Sequence, residues 1–104
     1  MKISIITVCY NAARTIRDAL ESVAAQAQGS GVEIEHIVVD GGSTDGTVRE
    51  IEDFAKKVKG EGEEWNYSFR WVSEKDRGMY DAMNKGIRMA TGEITLIVIQ
   101  VSTM

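Results

Sequence analysis

Apolar positions along this chain gather into short, nearly unbroken runs separated by stretches in which they recur every three or four residues. Ile3-Ser4-Ile5-Ile6-Thr7-Val8 is β-branched at most positions, the pattern of a strand covered on both faces inside a parallel sheet. From Asn11 to Gln28, Ile16, Leu20, Val23 and Ala24 fall at helical spacing, with Arg14, Arg17, Asp18 and Glu21 on the other side. Gly29-Ser30-Gly31 closes that helix. Glu33 to Asp40 reads as a second strand whose Ile37-Val38-Val39 core ends abruptly in Asp40-Gly41-Gly42-Ser43. Thr47-Val48-Arg49-Glu50 matches a capping box and predicts a helix running to about Val58.

Gly60 to Glu64 reads as a solvated loop, and Tyr67 to Val72 alternates aromatic and polar residues as a third strand would. Met79, Met83, Ile87 and Ala90 form one apolar stripe on a helix ended by Gly92, and Glu93 to Val101 is the fourth strand. The order βαβαβαβ predicts an α/β fold, a Rossmann-like parallel sheet with alternating helices and right-handed crossovers.

Composition narrows the class. The chain has 104 residues with 43% hydrophobic, enough for one modest core. Its 12 Lys and Arg against 16 Asp and Glu give a net charge of −4, so nothing favours nucleic acid as a partner. Cys9 is the only cysteine, which excludes an internal disulfide and fits a reducing, cytoplasmic setting. The apolar run after Met1-Lys2 is too short for a secretory leader, and Ile94 to Val101 is too short to span a membrane.

In open parallel sheets ligands bind beyond the carboxyl ends of the strands, and each candidate motif lies at such an end. In Thr7-Val8-Cys9-Tyr10-Asn11, ligand binding and a bland alternative, Tyr10 packing and Asn11 as an N-cap, fit equally well. In Asp40-Gly41-Gly42-Ser43-Thr44-Asp45-Gly46-Thr47, Asp40 could accept hydrogen bonds from a base or ribose, although all these types are also ordinary turn residues. Asp45 reads as a capping residue. In Glu74 to Gly86, Asp76 sits earliest in the strand-to-helix turn, where a side chain can face a cleft. Gly86 inside the helix implies close packing, a contact Asn84 could share, while Asp81 and Lys85 form an i, i+4 pair on a solvated face. His36, Trp65 and Trp71 read as structural residues. No Gly-x-Gly-x-x-Gly follows the first strand and no P-loop occurs, which argues against a dinucleotide oxidoreductase or a P-loop NTPase.

Taken together, Ser4 to Asn11, Ile37 to Thr47 and Asp76 to Gly86, extended by Ala90-Thr91-Gly92-Glu93-Ile94, resemble the family 2 glycosyltransferases from the start of the chain to about residue 99. The wording Asp-Arg-Gly-Met-Tyr-Asp-Ala-Met-Asn-Lys-Gly is most similar to bacterial enzymes of surface-polysaccharide assembly. The resemblance implies a GT-A fold and inverting transfer of a sugar from a nucleotide diphosphate donor, UDP-linked, to a glycan or lipid-linked acceptor. It implies that Val8, Tyr10, Asn11, Asp40, Asp76 and Gly78 bind the nucleotide, Tyr10 and Asp40 gripping the nucleoside. Work at the cytoplasmic face of the inner membrane is part of the same expectation.

Two departures qualify it. Many relatives carry two adjacent acids where this chain has Asp40-Gly41. The resemblance also implies a divalent cation, Mg²⁺ or Mn²⁺, held by an Asp-x-Asp-like motif after the fourth strand, yet Glu93 is the last carboxylate side chain. The expectation is therefore that residues 1–104 are the N-terminal, donor-binding part of an incomplete GT-A domain, inactive alone. The alternative is a non-catalytic nucleotide-binding or structural remnant, with a homo-oligomer covering its exposed sheet edge.

Overall fold

A computed structural model describes residues 1–60, 66–75 and 77–101, the side chains of Gly29, Ser30 and Gly60 excepted. The elements are β1 (Lys2–Tyr10), α1 (Ile16–Ser30), β2 (Glu33–Asp40), α2 (Thr47–Gly60), β3 (Tyr67–Ser73), α3 (Met79–Met89) and β4 (Ile94–Val101). The sheet is wholly parallel in the order β3-β2-β1-β4. The succession of strands and helices along the chain, and the parallel sheet, thus follow the hydrophobic pattern. The Glu61 to Glu64 loop, Trp65 and Asp76 lie outside the described residues.

The apolar runs are continuous because both faces of the central strands are covered. Ile5, Cys9, Ile34 and Val38 face α1 and α2 and meet Ile16, Leu20, Val23, Ala24, Ile51 and Phe54. Ile6, Val8, Ile37 and Val39 face the other way, toward Ala82 of α3. Alternate residues of one strand thus enter two separate cores, as the two-residue side-chain period requires. Trp71 and Phe69 pack against the first core, the structural role expected of Trp71.

Three local expectations change. Helix α1 starts at Ile16, five residues after Asn11, because Asn11 takes a positive φ of 47° that ends the strand in a tight turn. Asn11 is therefore not its N-cap. Thr47 forms no capping box: its hydroxyl accepts the Ala12 N–H at 2.8 Å, and its own N–H is taken up by the carboxylate of Asp45 at 3.0 Å, which satisfies a donor of the first turn from outside the helix. On α3 the buried residues are Ala82 and Gly86, whereas Met79 and Ile87 are half exposed. Met83 and Ala90 of the expected stripe do pack against the core, so the inward face is only partly shifted from it, and Asn84, which is exposed, does not share the contact of Gly86.

The reason is volume. Ile6 fills the space between β1 and α3, and a Cβ on Gly86 would lie 2.4 Å from its Cγ2. Ile6 is fully buried and cannot turn away. Gly86→Ala should therefore lower stability by about 1–2 kcal/mol, overpacking outweighing the better helix propensity of alanine. Chemical denaturation checks this: a variant as stable as the parent would mean that α3 can lift off β1 at no cost.

β4 is an edge strand, and Ile94, Leu96, Ile97, Ile99 and Val101 are each at least 40% exposed. Among the described residues no helix is long and apolar enough to cross a membrane.

Candidate functional site

The strand order reverses at β1, since β2 and β3 lie to one side and β4 to the other. A crevice forms at such a switch point because the loops leaving neighbouring strands diverge to opposite faces of the sheet. Here it is a cavity of about 500 Å³ at the carboxyl ends of the strands. Val8, Cys9 and Tyr10 of β1 and Val101 of β4 form one part of the wall. Gly41, Gly42 and Thr44 of the β2–α2 loop, Lys75 after β3, and Gly78, Met79 and Ala82 at the start of α3 complete it. Tyr10 is 44% exposed, so its ring is available to a ligand rather than spent in the core.

The β2–α2 loop is held by its own polar side chains. Asp40 is fully buried at the tip of β2. Its carboxylate accepts the Gly42 N–H at 3.1 Å, the Ser43 N–H at 2.9 Å, the Ser73 hydroxyl at 2.8 Å and the Ser43 hydroxyl. The Cys9 thiol lies 3.5 Å from the same carboxylate. Burial, then the charge of Asp40, push that thiol well above the ordinary cysteine range, which keeps it protonated and unreactive. A second set of bonds ties this loop to the one after β1. The Asn11 N–H donates to the Ser43 hydroxyl at 2.8 Å and the Thr44 N–H donates to Asn11 Oδ1 at 2.8 Å. The Ala13 N–H donates to Asp45 at 3.3 Å.

Gly42 joins this loop to the next one. It has φ of 85°, and a Cβ there would lie 3.1 Å from Cα of Lys75, so a side chain would push the β2 and β3 loops apart. Lys85 braces the far side of the turn, 2.9 Å from Glu74 and 3.8 Å from Asp81, and its side chain is only 18% exposed. The expected i, i+4 pair is present but is part of a tie between α3 and the end of β3, not a free solvated face.

The structure sorts the expected residues into two groups. Val8, Tyr10 and Gly78 line the cavity. Asn11 and Asp40 do not: their side-chain oxygens are turned into the loops, where unpaired backbone N–H groups claim them. Asp40, Ser43, Asp45 and Thr47 make the hydrogen bonds of a turn, while Gly41, Gly42 and Thr44 of the same motif line the cavity. Asp76 lies outside the described residues. Sequence reasoning did not pick out Lys75, Met79 or Ala82; the position of Lys75 directly after a strand was the available signal for it.

One titratable group elsewhere, His36, is structural. His36 is fully buried, with Nε2 2.7 Å from the Thr7 hydroxyl and Nδ1 2.7 Å from the Tyr67 hydroxyl. Burial depresses its pKa to about 3, so it is neutral. Among the described residues no three His, Cys, Asp or Glu side chains converge to hold a metal. The Asp40 oxygens are already engaged by protein donors and the cavity wall carries a lysine, so these residues do not fit the divalent cation that the resemblance implies.

A parallel α/β sheet with a crevice at its switch point defines a Rossmann-like nucleotide-binding class of fold, and the arrangement matches the N-terminal part of GT-A enzymes. Residues 4–99 match the glycosyl transferase family 2 model, and the chain belongs to that family. It is 38% identical over 92 residues to an uncharacterized glycosyltransferase of Mycobacterium tuberculosis, covering 88% of this chain and 30% of that protein. It is 35% identical over 95 residues to poly-beta-1,6-N-acetyl-D-glucosamine synthase of Staphylococcus epidermidis, covering 90% of this chain and 20% of that one. Among solved structures, a mannosyltransferase of Pyrobaculum calidifontis in complex with GDP-Man and Mn²⁺ superposes with a TM-score of 0.79 at 30% identity, over 94% of this chain and 27% of that one. TarS 1–349 of S. aureus in complex with UDP-GlcNAc gives 0.72 at 30% identity, over 96% and 26%. The chain thus spans less than a third of the length of each of these relatives.

Proposed function

We propose that this chain is the donor-nucleotide-binding part of a glycosyltransferase that uses a nucleotide-diphospho-sugar in polysaccharide biosynthesis. The observation that carries the reading is the cavity at the switch point, walled by the exposed ring of Tyr10 and by glycine backbone. An aromatic face offers a base a stacking surface, and glycines let backbone N–H groups approach a ligand closely. The complexes of similar proteins with GDP-Man and UDP-GlcNAc support a nucleotide sugar as the ligand class. The synthase similarity supports polysaccharide as the product.

Within this reading Val8, Tyr10 and Gly78 contact the nucleotide, and Asn11 and Asp40 act by fixing the loops that shape the cavity. Sugar transfer to a glycan or lipid-linked acceptor, with inversion, at the cytoplasmic face of a membrane, belongs to the same proposal for the whole enzyme.

The test is a titration of ¹⁵N-labelled chain with UDP and with GDP, followed by amide shifts. The expected result is saturable change at Tyr10, Gly41, Thr44 and Gly78, weakened about tenfold or more in Tyr10→Ala through loss of the stacking face. Tyr10 is exposed, so the variant should keep the parent's spectrum elsewhere. A folded chain whose amides respond to neither nucleotide would overturn the reading.

A further inference from the structure

The two edges of the sheet are built differently. β3 carries serines and Arg70, whose guanidinium donates to the Met89 carbonyl at 2.7 Å and meets Glu35 at 3.3 Å. β4, Ile94 to Val101, carries no charge, no proline and no glycine, the features by which an edge strand resists pairing with another chain. Among the described residues β4 pairs only with β1, so the backbone groups along its outer side have no partner in the sheet.

Both faces of β4 are apolar and open as well. Ile94 and Leu96 lie beside Ile3 and Ile5, on the face toward α1 and α2. Ile97 and Ile99 lie beside Ile6 and Val8, on the face toward α3. All four are between 41% and 51% exposed. Helix α3 lies over β1 and β2 and extends the second face. Lys85 leans to the β3 side, where it meets Glu74, and Gly86 faces down onto Ile6. Helical geometry then puts Met79 and Ile87 on the opposite flank, the side of β4. The part of the apolar stripe that the core does not use thus walls a trough whose floor is Ile97 and Ile99.

We infer that β4 is a self-association edge, along which two copies of this chain pair antiparallel about a two-fold axis normal to the sheet. A chain of net charge −4 repels its own copy over most of its surface, but β4 is neutral. Antiparallel pairing also sends Glu93, the acid next to the strand, to the opposite end from its counterpart. The axis keeps each face on its own side, so Ile97 and Ile99 of one copy meet those of the other, and Leu96 and Val98 do the same on the reverse face. Edge and trough together are of the order of the roughly 800 Å² per partner that a standard interface buries. Because each copy has one open edge and one blocked edge, the pair closes instead of growing into a filament. The inference is independent of the nucleotide reading, since it draws on the edge and not on the cavity.

The test is sedimentation velocity over a wide dilution series of the parent chain, Leu96→Lys, Ile97→Lys and Ser68→Lys, with hydrogen exchange on the same samples. The parent should reach the mass of two chains and return to one on dilution. A lysine at Leu96 or Ile97 appears twice in a two-fold pair and sets like charges against each other, so each should weaken association about tenfold or more. Ser68→Lys, on the β3 edge, should leave it unchanged. Amides of β4 should exchange more slowly as the pair forms, and those of β3 should not.

A parent chain that stays at the mass of one copy throughout would overturn the inference. So would species that grow beyond two copies, association lost in Ser68→Lys but kept in Leu96→Lys, or a pair in which β4 amides exchange as fast as in the single chain. Leu96 and Ile97 are 51% and 41% exposed and Ser68 is exposed, so the variants should fold, and circular dichroism matching the parent's verifies it.

Discussion

Replacing Glu35 with alanine should cost about 3 kcal/mol, a large share of the roughly 5–15 kcal/mol that holds a domain of this size. Glu35 is only 5% exposed, yet its carboxylate gathers groups from three other parts of the chain. Oε1 accepts the Ser4 hydroxyl of β1 at 2.8 Å and the Thr91 N–H at 2.8 Å, while Oε2 accepts the Thr91 hydroxyl at 2.9 Å and faces Arg70 of β3 at 3.3 Å. Lys2 lies 3.5 Å away. Burial works against ionisation, but the Thr91 N–H, the Ser4 and Thr91 hydroxyls and the charge of Lys2 outweigh it and hold the pKa at about 2.

That depression, produced by the same contacts, corresponds to a stabilisation of the same order, since each pKa unit is worth about 1.4 kcal/mol. Alanine would leave Ser4, the Thr91 N–H and the Thr91 hydroxyl without their acceptor, whereas the partly exposed Arg70 and Lys2 can return to water. Glu35→Gln, which keeps the shape but not the charge, should lose less. Urea denaturation at pH 7 measures both. A loss under about 1 kcal/mol for the alanine variant would show that water replaces the carboxylate at the amino end of the sheet.

Acid should weaken the fold well before its carboxylates titrate, and His36 is the cause. A histidine in the unfolded chain takes up a proton near pH 6.5, but buried between Thr7 and Tyr67 it stays neutral down to about pH 3. Between those values the unfolded state binds the extra proton, so stability rises with pH and is lost as pH falls, by about 1.4 kcal/mol per unit. From pH 6.5 to 4.5 the loss is roughly 2–3 kcal/mol, and it requires only that the folded pKa lie below that window. Glu35 adds its own loss below about pH 4.5, because its folded pKa is also depressed.

His36→Gln keeps a donor and an acceptor but cannot titrate. Stability measured by urea at half-unit steps should fall steeply between pH 6.5 and 4.5 in the parent and stay nearly flat there in the variant. Equal slopes in the two chains would mean that His36 is protonated in the folded state and that other groups cause the decline. The variant's absolute stability does not enter, since only the slope is read.

The central strands β1 and β2 were legible because covering both faces of a parallel sheet demands nearly unbroken apolar runs. Helix α1 was legible in Ile16, Leu20, Val23 and Ala24, all of them buried. Its start was not, because the turn at Asn11 is stabilised by Ser43 and Thr44, residues more than thirty positions away. The face of α3 was read only in part: Met83 and Ala90 pack against the core as the spacing predicts, but Met79 and Ile87 do not, and the bulk of Ile6 on β1 selects Ala82 and Gly86 as the closest contact.

The site divides along the same line. Sequence by itself determined the fold class, the placing of every motif at the carboxyl end of a strand, and the family, because these depend on local pattern and on the order of elements. The tertiary structure decided which motif residues line the cavity. Asp40 looks like a ligand in one dimension, and in three its carboxylate is the acceptor for the Gly42 and Ser43 N–H groups, the Ser73 hydroxyl and the Ser43 hydroxyl. Lys75 looks like an ordinary loop lysine, and in three dimensions it is one of the residues that line the cavity. The direction of a side chain depends on which backbone donors and counter-ions the packed loops leave unpaired, and only the folded chain brings those groups within reach.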